Sequence, residues 1–106
     1  MDQYPIIVMD LSFISLRKVI VAAWAFLSEG GHLIALAKPQ FEATKEEADR
    51  GKGIIRDEAV RARTLEEVKT FVAKNLPAAQ LFAETESPIR GAEGNVEYFL
   101  GWKNNR

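Results

Sequence analysis

Hydrophobic residues along this chain fall into two periods, and the switches between them mark the elements. Ile6-Ile7-Val8-Met9 is a continuous apolar run, β-branched at its start, that predicts a short strand buried on both faces and ended by Asp10. After Ser12 and Ser15, apolar residues recur at Leu16, Val19, Ile20, Ala23, Trp24 and Leu27, the spacing of one helix face, with Gly30-Gly31 as the expected stop. His32 to Ala37 predicts a second buried strand, so the first unit reads strand, helix, strand with a right-handed parallel crossover. Pro39 to Arg56 holds no period and reads as a long loop with a short helix at Thr44 to Asp49. Asp57 is a candidate N-cap for a second helix that buries Val60, Thr64, Leu65, Val68, Phe71 and Val72, and Pro77 bars its continuation.

Ala79 to Glu84 predicts a third strand, followed by a turn-rich link through Ser87-Pro88 and Gly91 to Gly94. Val96, Tyr98, Leu100 and Trp102 then alternate with Glu97, Phe99, Gly101 and Lys103, as a strand should. That last link is too short for a crossover helix, so the final strand is expected to run antiparallel to its neighbours. The fold class is therefore α/β, in the order β-α-β-α-β-β. An apolar first strand at a sheet edge would be an open pairing template. Residues 5 to 9 are expected to pair with a second copy, giving a homodimer, to pair with a partner chain, or to continue into a larger sheet.

With 106 residues, 47% hydrophobic and 27% charged, the chain is sized and composed for one globular domain. No Cys and a single His rule out a disulfide framework, a thiolate zinc site and a histidine cluster, so no metal is expected. Met1 to Pro5 lacks a basic leader region, and the apolar stretch Val19 to Leu27 falls far short of the ~20 residues a membrane span needs, so the expected compartment is cytoplasmic, with no membrane partner. A net charge of −1 excludes a generic electrostatic nucleic-acid binder. Lys45, Arg50, Lys52 and Arg56 are interleaved with acids and read as a solvated loop.

Candidate chemistry gathers where strands begin and end. Asp10 and Lys38 each follow an apolar strand directly, and Glu97 stands near the start of the last one. In an open sheet, ligands collect outside the carboxyl ends of parallel strands, which makes these three a candidate catalytic rim. Each also has a plainer reading: Asp10 as a turn cap, Lys38 as a solvent-exposed strand exit, Glu97 as an outward edge residue. His32 and Trp24 read as structural. Phe13 and Phe41 are weaker candidates for stacking on bases, against a core or lid role.

The segments DLSFISLRKV, LIALAKPQFE, GKGIIRDEAV and SPIRGAEGNVEYFL, in that order, closely resemble the carboxyl-terminal half of the TlyA family, also called hemolysin A or FtsJ-like. These proteins are S-adenosylmethionine-dependent ribosomal RNA 2′-O-methyltransferases. The resemblance implies a partial class I (Rossmann-like) methyltransferase sheet, made of that fold's later strands. By motif, Asp10, Lys38 and Glu97 match three members of the family's Lys-Asp-Lys-Glu tetrad and are the expected catalytic residues. Asp10, Ser12 and Phe13 are expected along the cofactor, S-adenosylmethionine, and Lys38, Gln40, Phe41, Arg90 and Asn95 along ribosomal RNA. The tetrad's first Lys and the family's glycine-rich turn have no counterpart in the sequence. Residues 1–106 are thus expected to be the carboxyl-terminal half of the methyltransferase domain, with the S4-type RNA-binding domain and the cofactor-binding amino-terminal half absent. The competing reading is a non-catalytic truncated remnant, or a dimerising RNA-binding scaffold. The hemolysin name finds little support in a sequence with no membrane-spanning run.

Overall fold

The computed structural model describes residues 2–106. Its strands are β1 (Tyr4–Met9), β2 (Leu27–Ala37), β3 (Ala79–Glu86) and β4 (Tyr98–Asn104), and its helices α1 (Ile20–Trp24), α2 (Pro39–Glu42), α3 (Lys45–Arg50) and α4 (Glu58–Asn75). The four strands make one sheet in the order β1-β2-β4-β3. β1 and β2 run parallel, whereas β4 is antiparallel to both β2 and β3. This is the expected α/β arrangement with an antiparallel last strand.

Local chemistry accounts for the helices. Asp57 accepts a hydrogen bond from Ala59 N at 2.8 Å and caps α4, whose Thr64, Leu65, Val68 and Val72 form the buried stripe. Thr44 and Glu47 build a capping box on α3, each side chain accepting from the other's backbone N–H. The stretch expected as a loop with one short helix therefore holds two: α2, which starts on Pro39, and α3. The main core is one cluster, with Leu33, Ala35, Leu100 and Trp102 from the sheet meeting Ile20 and Trp24 of α1 and Leu65, Val68 and Val72 of α4; Ile55 is buried outside it. Burial of each large side chain there contributes about 1.5–3 kcal/mol.

Two expectations need correction. The helix predicted across Leu16 to Leu27 is only a 3₁₀ turn at Leu16–Lys18 followed by the five-residue α1, and the chain is already in β2 at Leu27. Leu16, Ile20, Trp24 and Leu27 are all buried, so the periodicity located the inward residues and mistook the backbone that carries them. Gly30-Gly31 does not stop a helix. The pair lies inside β2, where the register against β1 jumps from Tyr4↔Leu27 to Ile6↔His32. Gly30 takes φ +73°, and a Cβ on Gly31 would stand 2.9 Å from Pro5 O, so glycine is what lets the bulged strand pass close to β1.

The second correction concerns β1, expected to be buried on both faces. Ile7 and Met9 pack toward the core, but Ile6 is 63% and Val8 70% exposed. The helices that build the core lie on one side of the sheet, and β1 is its edge.

Candidate active site

The parallel pairing of β1 and β2 ends at Met9↔Ala35, so Asp10 and Lys38 leave the sheet at the same end. Lys38 Nζ lies 2.6 Å from Asp10 Oδ1 and donates to Ser12 Oγ at 3.3 Å. The Lys38 side chain is largely covered, at 11% exposure, whereas that of Asp10 is 64% exposed, which leaves a carboxylate edge open to a ligand. Antiparallel pairing of β2 with β4 ends at Ala37↔Tyr98, so the next residues outward, Lys38 and Glu97, depart side by side. The structure thus brings Asp10, Lys38 and Glu97 to one edge of the sheet. Among the described residues no ion pair links Lys38 to Glu97: the Glu97 carboxylate is buried and accepts from Gln40 Nε2 at 2.9 Å. It presses on Gly91, where a Cβ would come within 1.8 Å of Glu97 Oε2. Only glycine leaves room for that carboxylate.

The loop from residue 11 to 15 forms the rim's outer wall. Phe13 in it takes φ +67°, a conformation that costs a non-glycine residue about 1–3 kcal/mol, and its ring is 90% exposed. Phe41 in α2 faces it with ring centroids 5.2 Å apart, and the two aromatics, with Gln40, Lys52 and Asn95, line a hollow of about 220 Å³. The loop is anchored by Glu42, to which sequence reasoning assigns no role. Its buried carboxylate accepts from Ser15 Oγ at 2.5 Å and from Leu16 N at 2.7 Å, with Arg17 Nε 3.4 Å away. Burial outweighs these partners and raises the Glu42 pKa above the ordinary carboxylate value. The only advance signal for Glu42 was its place inside a segment shared with a known family.

Of the other expected RNA contacts, Gln40 and Asn95 line the same hollow as Phe41, and Arg90 does not. Gln40 is buried and donates its Nε2 to Glu97, while its Oε1 has no hydrogen-bond partner among the described residues. Asn95 is buried too, accepting from Ile55 N at 3.0 Å and donating to Gly53 O at 2.9 Å, so it ties the 53–55 loop to the loop before β4. Arg90 stands exposed, 4.0 Å from Glu86. Among the described residues no group of three or more His, Cys, Asp or Glu is placed to hold a metal, and no helix is long and apolar enough to cross a membrane.

The family profile described as FtsJ-like methyltransferase matches residues 2–104. The chain belongs to that family. Among curated relatives of this FtsJ-like chain are hemolysin A of Brachyspira hyodysenteriae, 39% identical over 101 residues, and the 16S/23S rRNA (cytidine-2′-O)-methyltransferase TlyA of Mycobacterium tuberculosis, 39% identical over 95 residues. The match takes in 92% and 90% of this chain but only 40% and 34% of those proteins, so the FtsJ-like chain spans well under half their length. A solved hemolysin-like protein of Lactococcus lactis superimposes with a TM-score of 0.89 at 35% identity, covering 98% of this chain and 48% of that one. The N-methyltransferase NodS of Bradyrhizobium japonicum shares the fold at 16% identity, with a TM-score of 0.57.

Proposed function

We propose that this chain carries the catalytic rim of an S-adenosylmethionine-dependent ribosomal RNA 2′-O-methyltransferase. The observation that carries the reading is the Asp10–Lys38 pair, 2.6 Å apart at the carboxyl ends of two parallel strands, with Glu97 beside it. The M. tuberculosis relative, named a 16S/23S rRNA (cytidine-2′-O)-methyltransferase, supports the choice of reaction and substrate.

The donor set suits the cofactor in part. The exposed carboxylate of Asp10 and the hydroxyl of Ser12 would hold the amino-acid end of S-adenosylmethionine, with the Phe13 backbone bounding the same wall. Bound there, the cofactor supplies a methyl group on a sulfonium. Everything else asked of the protein is placement: the ribose 2′-hydroxyl must lie in line with that carbon at near-attack distance. Lys38, acting as the neutral amine, would take the proton of the 2′-hydroxyl as its oxygen attacks, and Asp10 would pair with the ammonium so formed, while Glu97, steadied by Gln40, would hold the ribose. The Phe13–Phe41 hollow suits an unstacked base, because aromatic faces are common platforms for single-stranded RNA. Arg90 is left to reach phosphate.

A chimera tests this, with the chain replacing the matched segment of the M. tuberculosis relative and methyl transfer followed on ribosomal RNA. The chimera is expected to be active, and Lys38→Ala to lower the rate by roughly 10²–10⁴-fold with unchanged cofactor affinity. A Lys38→Ala chimera as fast as the parent contradicts the assignment.

A further inference from the structure

One buried acceptor at the rim is left without a donor. Gln40 is 7% exposed; its Nε2 donates to Glu97 Oε2 at 2.9 Å, and its Oε1 is buried with no hydrogen-bond partner among the described residues. Such an atom is costly, and folded proteins seldom keep one unless a ligand or a water completes it. Gln40 stands on the wall of the hollow of about 220 Å³ that Phe13 and Phe41 also line. The amide is not free to turn over. Flipped, its oxygen would face the Glu97 carboxylate, acceptor against acceptor, so Glu97 fixes the Gln40 carbonyl on the side away from itself. Asn95, on the same wall, is already held by Ile55 N and Gly53 O. Lys52 adds an exposed, flexible cation, whose natural partner is a phosphate.

We infer that Gln40 determines which base the rim accepts: its Oε1 takes a hydrogen bond from the exocyclic amine of a cytosine and rejects uracil. The inference deepens the methyltransferase reading and rests on it. Cytosine and uracil present similar flat faces, so stacking on Phe13 and Phe41 does not tell them apart. They differ along one edge, where cytosine carries an amine and uracil a carbonyl. Against an acceptor of fixed orientation the amine gains a hydrogen bond, whereas the carbonyl leaves Oε1 unpaired and facing a second acceptor. The Phe13 and Phe41 rings are in contact, with centroids 5.2 Å apart, so a base that enters between them has to part them. Phe13, 90% exposed and at φ +67°, is the ring that yields, and its movement uncovers Gln40. One buried carboxylate, Glu97, thus serves the ribose directly and the base through Gln40, which couples the choice of nucleotide to the reacting rim.

The test is equilibrium binding of the full 106-residue chain to short end-labelled oligouridine, with or without one central cytidine, repeated with Gln40→Met and Glu97→Gln. The parent chain is expected to prefer the cytidine-bearing RNA by roughly 5–150-fold. Gln40→Met, which keeps the length of the side chain and removes the acceptor, is expected to bring the ratio to about one, chiefly by weakening the cytidine-bearing RNA. Glu97→Gln gives the amide a partner in either orientation and is expected to narrow the ratio as well. A Gln40 with only a structural role would instead weaken both RNAs alike and leave the ratio in place. A parent chain that binds neither RNA, or both equally, overturns the inference, and so does a ratio that survives Gln40→Met at the parent's thermal midpoint. If Gln40→Met lowers that midpoint, the Glu97→Gln ratio decides in its place. Discrimination by the chain beside a chimera that never transfers methyl upholds the base reader and sinks the proposed activity. A chimera that methylates cytidine and uridine at equal rates does the reverse.

Discussion

Glu42 shows how a single side chain can set the loop that walls the candidate rim. Its carboxylate holds the backbone N–H of Leu16 and the hydroxyl of Ser15, and so fixes the far end of the loop bearing Ser12 and Phe13. Glu42→Ala leaves that buried N–H without a partner and is expected to cost about 1–3 kcal/mol in urea unfolding. The pH dependence has a definite sign. Because burial raises the folded-state pKa of Glu42 above 4.5, its contribution to stability is complete below that value and is lost as pH rises through the raised one. Glu42→Gln is expected to flatten this limb of the stability profile, and an unchanged profile contradicts the assignment. None of this was legible in the sequence pattern, because a Glu five residues beyond a strand end has nothing that marks it as buried. Asp10 and Lys38 were legible, since each directly follows an apolar run that has to be a strand.

Among the elements, α3 stands out as a short helix whose place depends on polar contacts. The capping box starts it, and Arg63 of α4 grips Glu47 with two hydrogen bonds of 2.6 and 2.5 Å, fastening α3 to the long helix. Those bonds hold the Glu47 carboxyl down to about 2. The stabilisation is therefore present above pH 4.5 and lost as pH falls through about 2. In Arg63→Ala the acid limb of the unfolding curve is expected to become shallower over that window, with hydrogen exchange in α3 faster at neutral pH. Equal acid limbs in parent and variant would remove the account of α3. The elements also show where periodicity misleads. Leu16 to Leu27 has the spacing of a helix face, yet the chain turns into β2 because the glycines at 30 and 31 allow the strand to begin early and bulge past β1. Strand pairing overrode a local pattern whose inward positions were nonetheless right. α4 was readable end to end because cap, stripe and terminating proline all agreed.

Across the whole molecule, a one-sided core and the candidate rim have the same origin. Helices cover one face of a four-stranded sheet, and at one end of that sheet parallel β1 and β2 and antiparallel β4 deliver Asp10, Lys38 and Glu97 to a common rim. The antiparallel last strand followed from the length of its link, whereas the order of strands across the sheet was not read from the sequence. Nor was the open face, because an apolar strand reads the same whether its second covering layer is present or missing. The account's central claim is that these three side chains act as one unit, and rates in the chimera with single and paired substitutions test it most directly. Asp10→Asn, Lys38→Ala and Glu97→Gln are each expected to cripple methyl transfer, and Asp10→Asn combined with Lys38→Ala to be little worse than Lys38→Ala alone, as for groups that work together. Losses that simply multiply, or a Glu97→Gln chimera at full rate, would contradict the account.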